Sequence, residues 1–163
     1  MTRNTIRERI VAEMVRRITA HPFEGATFAN VLRSEIPDGY DSSSGALLAL
    51  LEGTERFLPA LSRIRESDLE VFAVFAVPLA PGEEGATVCN NVAGEIVEFL
   101  GNLRSPLVEG GDGSGGEGLQ FIACSEQSFS PSLEDGRGGV AQGEILFSVK
   151  FRTSLHRPFT RTP

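Results

Sequence analysis

The 163-residue chain has few of the residues from which metal and redox sites are built. Its two cysteines, Cys89 and Cys124, lack the short spacing of a metal knuckle or a redox motif. Its two histidines, His21 and His156, have no Cys, Asp or second His at ligand spacing. We therefore expect no metal ion and no cofactor, and we expect both cysteines to be buried and reduced.

Basic residues are also scarce, and almost none of them is a lysine. The chain has 15 basic and 22 acidic residues, which gives a net charge of -7, and Lys150 is its only lysine. Duplex binding relies on basic side chains that neutralise phosphates, so a nucleic-acid-binding surface is disfavoured. The arginines suit bidentate pairing at protein interfaces.

Long apolar segments are missing as well. No run approaches the roughly 20 apolar residues of a membrane span, and the charged N-terminal segment has no signal-peptide core. We expect no membrane contact and folding in a cytoplasm. Hydrophobic residues make up 40% of the chain and charged residues 23%, as in folded globular proteins. The length fits a single domain, residues 1–163.

Apolar residues at helical spacing predict two helices. The first covers about residues 5–19 and ends before His21-Pro22. The second begins after Pro81-Gly82 and ends near Ser105-Pro106. The apolar positions are Ile6, Ile10, Met14 and Ile18 in the first helix, and Val88, Val92, Ile96, Phe99, Leu100 and Leu103 in the second.

Period-two alternation predicts the strands of a sheet. Within residues 69–77 both faces have apolar side chains, which indicates a central strand covered on both sides. One face has Leu69, Val71, Ala73, Phe75 and Val77, and the other has Phe72, Val74 and Ala76. Residues 143–153 alternate most strictly. Their inward set is Ile145, Phe147, Val149 and Phe151, and their outward set is Glu144, Ser148, Lys150 and Arg152. Residues 119–124 are a further strand, 26–33 a weak one and 58–64 an edge strand, while the apolar run 46–51 is too short to classify.

The order of these elements, with no repeated βαβ unit, predicts an α+β fold. We expect a mainly antiparallel sheet of four to five strands with the two helices packed on one face. Turn-forming residues predict flexible loops near residues 37–45, 108–118 and 128–142. Residues 154–163 form a C-terminal arm.

The sequence contains no arrangement typical of catalysis. Its serines lack a G-x-S-x-G elbow and a neighbouring histidine base. Adjacent acidic residues such as Glu83-Glu84 lie in predicted turns and indicate solvated surface. The glycine loop at 108–118 lacks the G-K-[ST] that reaches phosphates and occurs in a single copy, so a hairpin connection explains it. We expect a protein that is not an enzyme and has no catalytic or cofactor-binding residues.

The C-terminal end offers candidate interface residues, because arginine and aromatic side chains anchor many protein contacts. We predict subunit contacts through Lys150, Arg152, Thr153, Arg157 and Phe159, on a strand whose open edge could pair with a neighbour. A small phosphate-binding patch and a disordered tail are the alternatives for the arm.

Three short motifs in a particular order support a more specific hypothesis. An I-R-E-R-I helix begins at Ile6, an L-P-A-L segment begins at Leu58, and a strand closes in F-R-T at Thr153 before a proline. In this order they resemble the tail terminator (minor tail, tail-completion) proteins of long-tailed bacteriophages or phage-derived particles. The resemblance covers most of the chain, and residues 41–51 and 108–118 depart from the family pattern.

The resemblance implies a structural virion protein. Such a subunit forms a ring, usually a hexamer, on the last ring of the tail tube, stops tube polymerisation and provides the head-joining surface at the neck. Its partners would be its own copies, the tube protein and a head-completion protein, after assembly in the host cytoplasm. DNA would pass through the pore without specific binding. The alternatives are another neck or head-completion connector, and a small-ligand-binding α+β domain.

Overall fold

The computed structural model describes residues 3–33, 35–36, 38, 40, 42–58, 64–104, 120–132, 139–154 and 159–161. These residues form two α-helices and seven strands, with a short 3-10 helix, Ser42–Ser44, before the third strand. In chain order they are β1 Arg3–Thr5, α1 Ile6–Ala20, β2 Val31–Leu32, β3 Leu47–Leu58, β4 Ile64–Pro78, α2 Gly85–Gly101, β5 Gln120–Ser132, β6 Val140–Ser154 and β7 Phe159–Arg161.

The main sheet has five strands in the order β2-β3-β4-β6-β5. The short β2 runs parallel to β3, and all other neighbours in this sheet are antiparallel. Strand β4 lies at the centre as predicted. The expected cover on both faces is only half met, because α1 and α2 pack on one face and Phe72 and Val74 on the other are half-buried. The predicted α+β class and the number of strands are therefore confirmed, and the sheet is mixed only because of β2.

Both helices pack on one face of this sheet and share one hydrophobic core with it. Helix α1 lies towards β2 and β3, and α2 contacts β5 and β6. Each large side chain removed from water here contributes about 1.5–3 kcal/mol before the loss of conformational entropy. The largest fully buried side chains are Ile10, Met14, Ile18, Leu48, Leu50, Leu69, Phe75, Ile96, Leu100, Phe147 and Phe151.

Strand β6 has the predicted faces but not the predicted neighbours. Its inward residues Ile145, Phe147, Val149 and Phe151 are all buried. The strand is nevertheless internal, because it pairs with β4 on one side and with β5 on the other. The prediction of an open edge on the C-terminal strand is therefore wrong. Alternation reports which face is covered, and it contains no information about lateral partners.

Three predicted boundaries also need correction. Within residues 26–33 only Val31–Leu32 is a strand, although Ala26 and Phe28 pack in the core without sheet pairing. Residues 58–64 are not one edge strand, since Leu58 ends β3 and Ile64 begins β4. The loop expected at 128–142 is shorter than predicted. The serine-rich β5 extends to Ser132 because its backbone pairs with β6, and β6 begins at Val140.

The other two predicted loops are described only in part or not at all. Residues 37–45 contain the 3-10 helix Ser42–Ser44, and the unclassified run 46–51 enters β3. The glycine loop 108–118 lies outside the described residues. In the C-terminal arm, β7 pairs antiparallel with β1 of the same chain, with Thr5 opposite Phe159. Neither described helix is long and apolar enough to cross a bilayer.

Candidate interaction surfaces

The face of the sheet that α1 and α2 do not cover has an apolar half. Its side chains come from alternate positions of β3, β4 and β6, and we call it the helix-free face. Leu51, Phe72 and Leu146 lie side by side on three neighbouring strands. These side chains are half-buried, and so are Leu47 and Val74, while the small Ala49 and Ala76 between them are buried.

The other half of the helix-free face is charged. Strand β4 places carboxylates at alternate positions, Glu66, Asp68 and Glu70. Arg152 on β6 donates to Glu66 at 3.1 Å, Arg56 on β3 donates to Glu70 at 3.2 Å, and the Ser148 hydroxyl donates to Asp68 at 2.5 Å. Cross-strand pairs of this kind contribute roughly 0.2–1 kcal/mol each. The acidic strand is thus flanked by basic residues on both sides.

The predicted interface residues are only partly brought together. Lys150 and Arg152 both project onto the charged half of the helix-free face, where Lys150 lies opposite Asp68. Thr153 is the next residue of β6, and its backbone lies opposite that of Arg65 on β4. Arg157 lies outside the described residues, and the backbone of Phe159 belongs to the separate β1–β7 ribbon. The structure therefore unites two of the five residues on one surface.

The sequence interpretation did not select the exposed end of β3. Phe57 is 58% exposed and Leu58 is 37% exposed. The guanidinium of Arg65 lies 4.1 Å from the centre of the Phe57 ring, and the side chain of Arg56 is 72% exposed. We call Arg56, Phe57 and Leu58 the β3 end. A signal for it was present in the sequence, since the adjacent apolar pair Phe57-Leu58 breaks the alternation expected of a half-buried strand.

Strand β5 forms one edge of the sheet, and the short β2 forms the other. Its register with β6 shifts between Phe121 and Ala123 and again between Glu126 and Ser128. Such bulges redirect side chains, and at the first one Ile122 is 40% exposed. Glu126 is exposed too. A bulge needs one extra residue and leaves no mark in composition, so the sequence did not reveal this exposed isoleucine.

A concave site between α1 and the edge of β3 contains a network of ion pairs. Arg7 on α1 donates to Glu52 at 2.6 Å and lies 3.8 Å from Glu55, which a register shift in β3 brings to the same face. Arg33 pairs with Glu8 at 2.5 Å and also with Glu52. The hydrogen bond from Arg33 holds the pKa of Glu8 below its ordinary value. These contacts join the start of α1 to the sheet.

A groove lies between the C-terminal ends of the two helices, where His21, Phe99 and Arg104 line its walls. The His21 ring packs against Phe99 with centroids 4.3 Å apart. The carboxylate of Glu95 accepts the backbone N–H groups of Glu24 and Gly25, both at 2.7 Å. Among the described residues, no three His, Cys, Asp or Glu side chains are grouped so that they could hold a metal ion.

The two cysteines are free thiols buried in the core, as the sequence predicts. Cys89 donates its S–H to the carbonyl oxygen of Gln142 at 3.0 Å. Burial raises the pKa of both thiols, that of Cys124 to about 12. The thiolate is the reactive form, so burial and a raised pKa both disfavour nucleophilic reactivity of these cysteines.

No protein-family model matches this chain, and no curated protein is significantly similar to it.

Proposed function

We propose that the protein is a tail terminator of a long-tailed phage or phage-derived particle. It assembles as a ring, hexameric as in the family that it resembles, on the last ring of the tail tube. There it ends tube polymerisation and offers the surface that joins the head. The proposal rests on the order of the three sequence motifs and on one structural observation: α1 and α2 cover one face of the sheet, and the helix-free face has an apolar and a charged half.

The chemistry of the helix-free face supports an assembly role. Protein interfaces combine an apolar centre with a polar rim, and they favour aromatic and arginine side chains over lysine. Leu51, Phe72 and Leu146 would supply the centre, with Arg56 and Arg152 at the rim. A second subunit would bury these half-buried side chains further. A small ligand, in contrast, needs an enclosed cavity more than a broad surface.

The net charge is compatible with a pore for DNA. Six copies at -7 each total about -42. An acidic lining repels phosphates, so DNA passes through without binding to the wall.

Two other functions remain candidates. A neck or head-completion connector would use the same sheet but bind the portal side of the particle. A small-ligand-binding domain is favoured by the groove at His21, Phe99 and Arg104, where aromatic and basic side chains converge. Pull-down against tube protein distinguishes the connector, and calorimetry with small aromatic acids tests the groove.

The proposed function is tested by mixing purified protein with tail tubes from the same particle. Electron microscopy should find a ring on one end of each tube, and tubes grown in its presence should be shorter. Leu146→Glu should lose capping because it places a charge in the apolar half of the helix-free face, whereas Glu144→Gln, two residues earlier on that face, should cap normally. Tubes that stay uncapped and keep their full length with the unaltered protein would refute the proposal.

A further inference from the structure

The two middle strands of the helix-free face have charges of opposite sign at the same levels. In the register of β4 with β6, Glu66 lies opposite Arg152 and Asp68 lies opposite Lys150. Directly opposed residues of antiparallel strands project on the same side of a sheet, so all four charges belong to the helix-free face. At both levels, an acidic position on β4 therefore has a basic position beside it on β6.

The apolar half shows a similar correspondence between these strands. Phe72 lies opposite Leu146, and both side chains are half-buried. Between the charged and the apolar levels, Glu70 lies opposite Ser148. From one end of the face to its middle, β4 and β6 thus pair acid with base, carboxylate with hydroxyl, and aromatic with aliphatic side chain.

A second copy of the chain matches this pattern about one particular two-fold axis. The axis lies in the plane of contact, parallel to the strands and between β4 and β6, so that β4 of each copy faces β6 of the other at the same level. Glu66 then faces Arg152 of the second copy, and Phe72 faces Leu146 of the second copy. An axis directly over β4 would instead set carboxylates against carboxylates. An axis across the strands at the middle of the face would set the apolar half against the charged half.

From this self-complementary pattern we infer that two copies of the free chain pair through their helix-free faces about the axis between β4 and β6. Both copies use the same surface, so the contact is closed and stops at two copies. Sheets that pack face to face usually keep their strand directions within about 30° of each other, as this axis requires. The dimer forms in the absence of tail tubes, and it does not depend on the proposed role at their ends.

The area of the face is sufficient for such a dimer. Strands β3, β4, β6 and β5 lie side by side in it, and β4 contributes residues 66–76. With strands about 4.8 Å apart and a rise of about 3.4 Å per residue, the face measures about 19 by 35 Å, or about 650 Å². Two such faces bury about 1,300 Å², and specific interfaces bury about 1,200–2,000 Å².

The ion pair that Arg152 already makes is kept in this dimer. Arg152 donates to Glu66 of its own chain at 3.1 Å, and its side chain is 49% exposed. In the dimer this pair lies against the same pair of the second copy in reversed order, so each charge has opposite charges on two sides. An exposed ion pair contributes little alone, and a network of several charges contributes more. Since the net charge of -7 makes copies repel one another at long range, local attraction of this kind is needed.

The proposed ring uses the same face, so a subunit cannot be in the dimer and in the ring at once. The dimer covers the apolar half of the face while no tube is present, and exposed apolar patches otherwise promote non-specific association. It is therefore a reserve form that opens before a subunit joins a tube.

Charge reversal on two separate chains tests the dimer. Glu66→Arg and Arg152→Glu chains are purified separately, checked for folding by circular dichroism, and measured alone and mixed by sedimentation equilibrium without tubes. Each variant alone sets like charges against each other twice in every dimer, so its Kd should rise at least ~10-fold. In the mixed dimer both contacts again join opposite charges, so the Kd should return to within about 3-fold of that of the unaltered chain. Both changes combined in one chain should restore association in the same way.

Glu144→Gln is the matched control on β6. Glu144 is exposed and lies opposite Val74, so in the dimer it faces Val74 of the second copy and not a basic residue. Removal of its charge should leave the Kd unchanged or lower it. Weaker association of this variant would refute the level-by-level match of β4 with β6.

Each outcome of the sedimentation experiment decides for or against the dimer. Association in the mixture that neither variant shows alone, with a mass of two copies, would support it. An unaltered chain that stays monomeric at high micromolar concentration would refute it, and so would species larger than two copies or a mixture as weak as its components. Capping is measured separately on tubes: a monomeric chain that caps would refute the dimer alone, and a dimer that never caps would refute the terminator role alone.

Discussion

The two faces of the central sheet are built from the same strands and differ in almost every physical respect. On the helix-covered face, Leu69, Val71 and Phe75 of β4 are fully buried. On the helix-free face the intervening residues of the same strand are carboxylates at one end and half-buried Phe72 and Val74 at the other. The first face therefore forms the buried core of the subunit, and the second is the surface that we propose for assembly. Variants at adjacent positions can separate these two roles.

The largest difference is expected between Phe151→Asp and Arg152→Glu on β6. Phe151 is buried in the core, so an aspartate there leaves an unpaired charge without water and should cost more than about 4 kcal/mol, a large part of the stability of a domain. Arg152 is exposed and pairs with Glu66, so its replacement should leave a folded subunit with weakened assembly. Circular dichroism and urea unfolding measure the first effect. If both variants are equally unfolded, the assignment of the two faces is wrong.

A smaller effect is expected from one methyl group added at Gly143. A Cβ atom at this position would lie 2.7 Å from the Phe75 ring, so Gly143→Ala should overpack the core and destabilise by about 1–3 kcal/mol. Gly94, exposed on α2, has open space around it. The same change there, Gly94→Ala, should stabilise by about 0.5–1 kcal/mol through helix propensity.

Urea unfolding of the two alanine variants measures both changes in the free energy of unfolding, which should have opposite signs. A stable Gly143→Ala variant would mean that Phe75 can move aside and that the covered face is packed less tightly than the contact suggests. A destabilised Gly94→Ala variant would point to a packing partner of α2 on its outer side.

The hydrogen bond of Ser148 tests the charged half of the helix-free face. Ser148→Ala removes a donor to Asp68 and should cost about 1–2 kcal/mol, since the carboxylate loses a close partner. Ser130→Ala, at an exposed position of β5, should change the free energy of unfolding by no more than about 0.5 kcal/mol. Equal effects of the two changes would show that the hydrogen bond from Ser148 to Asp68 does not contribute to the free energy of unfolding.

Much of the fold follows from local patterns in the sequence. Ile10, Met14 and Ile18 fix the inner side of α1, and the apolar run within residues 69–77 predicts the central position of β4 in the sheet. These features depend on which residues are covered, which periodicity reports directly. The α+β class follows from the order of the elements.

The lateral neighbours of the strands could not be predicted in the same way. Pairing of β6 with both β4 and β5 is a long-range choice, and alternation would be the same on an edge strand. The exposed surfaces were missed for a related reason. Phe57 and Ile122 are of apolar types that usually lie in a core. In the structure Phe57 is exposed near the end of β3, and Ile122 is exposed at a β-bulge in β5. Lys150 and Arg152 were recognised because charge at an outward position is visible in the alternation itself.

The smallest effect is expected on the outer side of α1. There the ionised carboxylate of Glu13 should contribute to the free energy of unfolding, and this contribution should depend on pH. Hydrogen bonds from Arg16, and then from Arg17, hold the pKa of Glu13 below its ordinary value of 4.5, against the opposing effect of burial. A carboxyl group with a lowered folded-state pKa stabilises above its unfolded value, and this contribution is lost as the pH falls through the folded value. Glu13→Gln should therefore be slightly less stable than the unaltered protein near neutral pH, and the two should converge in acid below the folded-state pKa. Urea unfolding at both pH values measures the difference, and a gap that persists in acid would show that the glutamate acts by packing and not by charge.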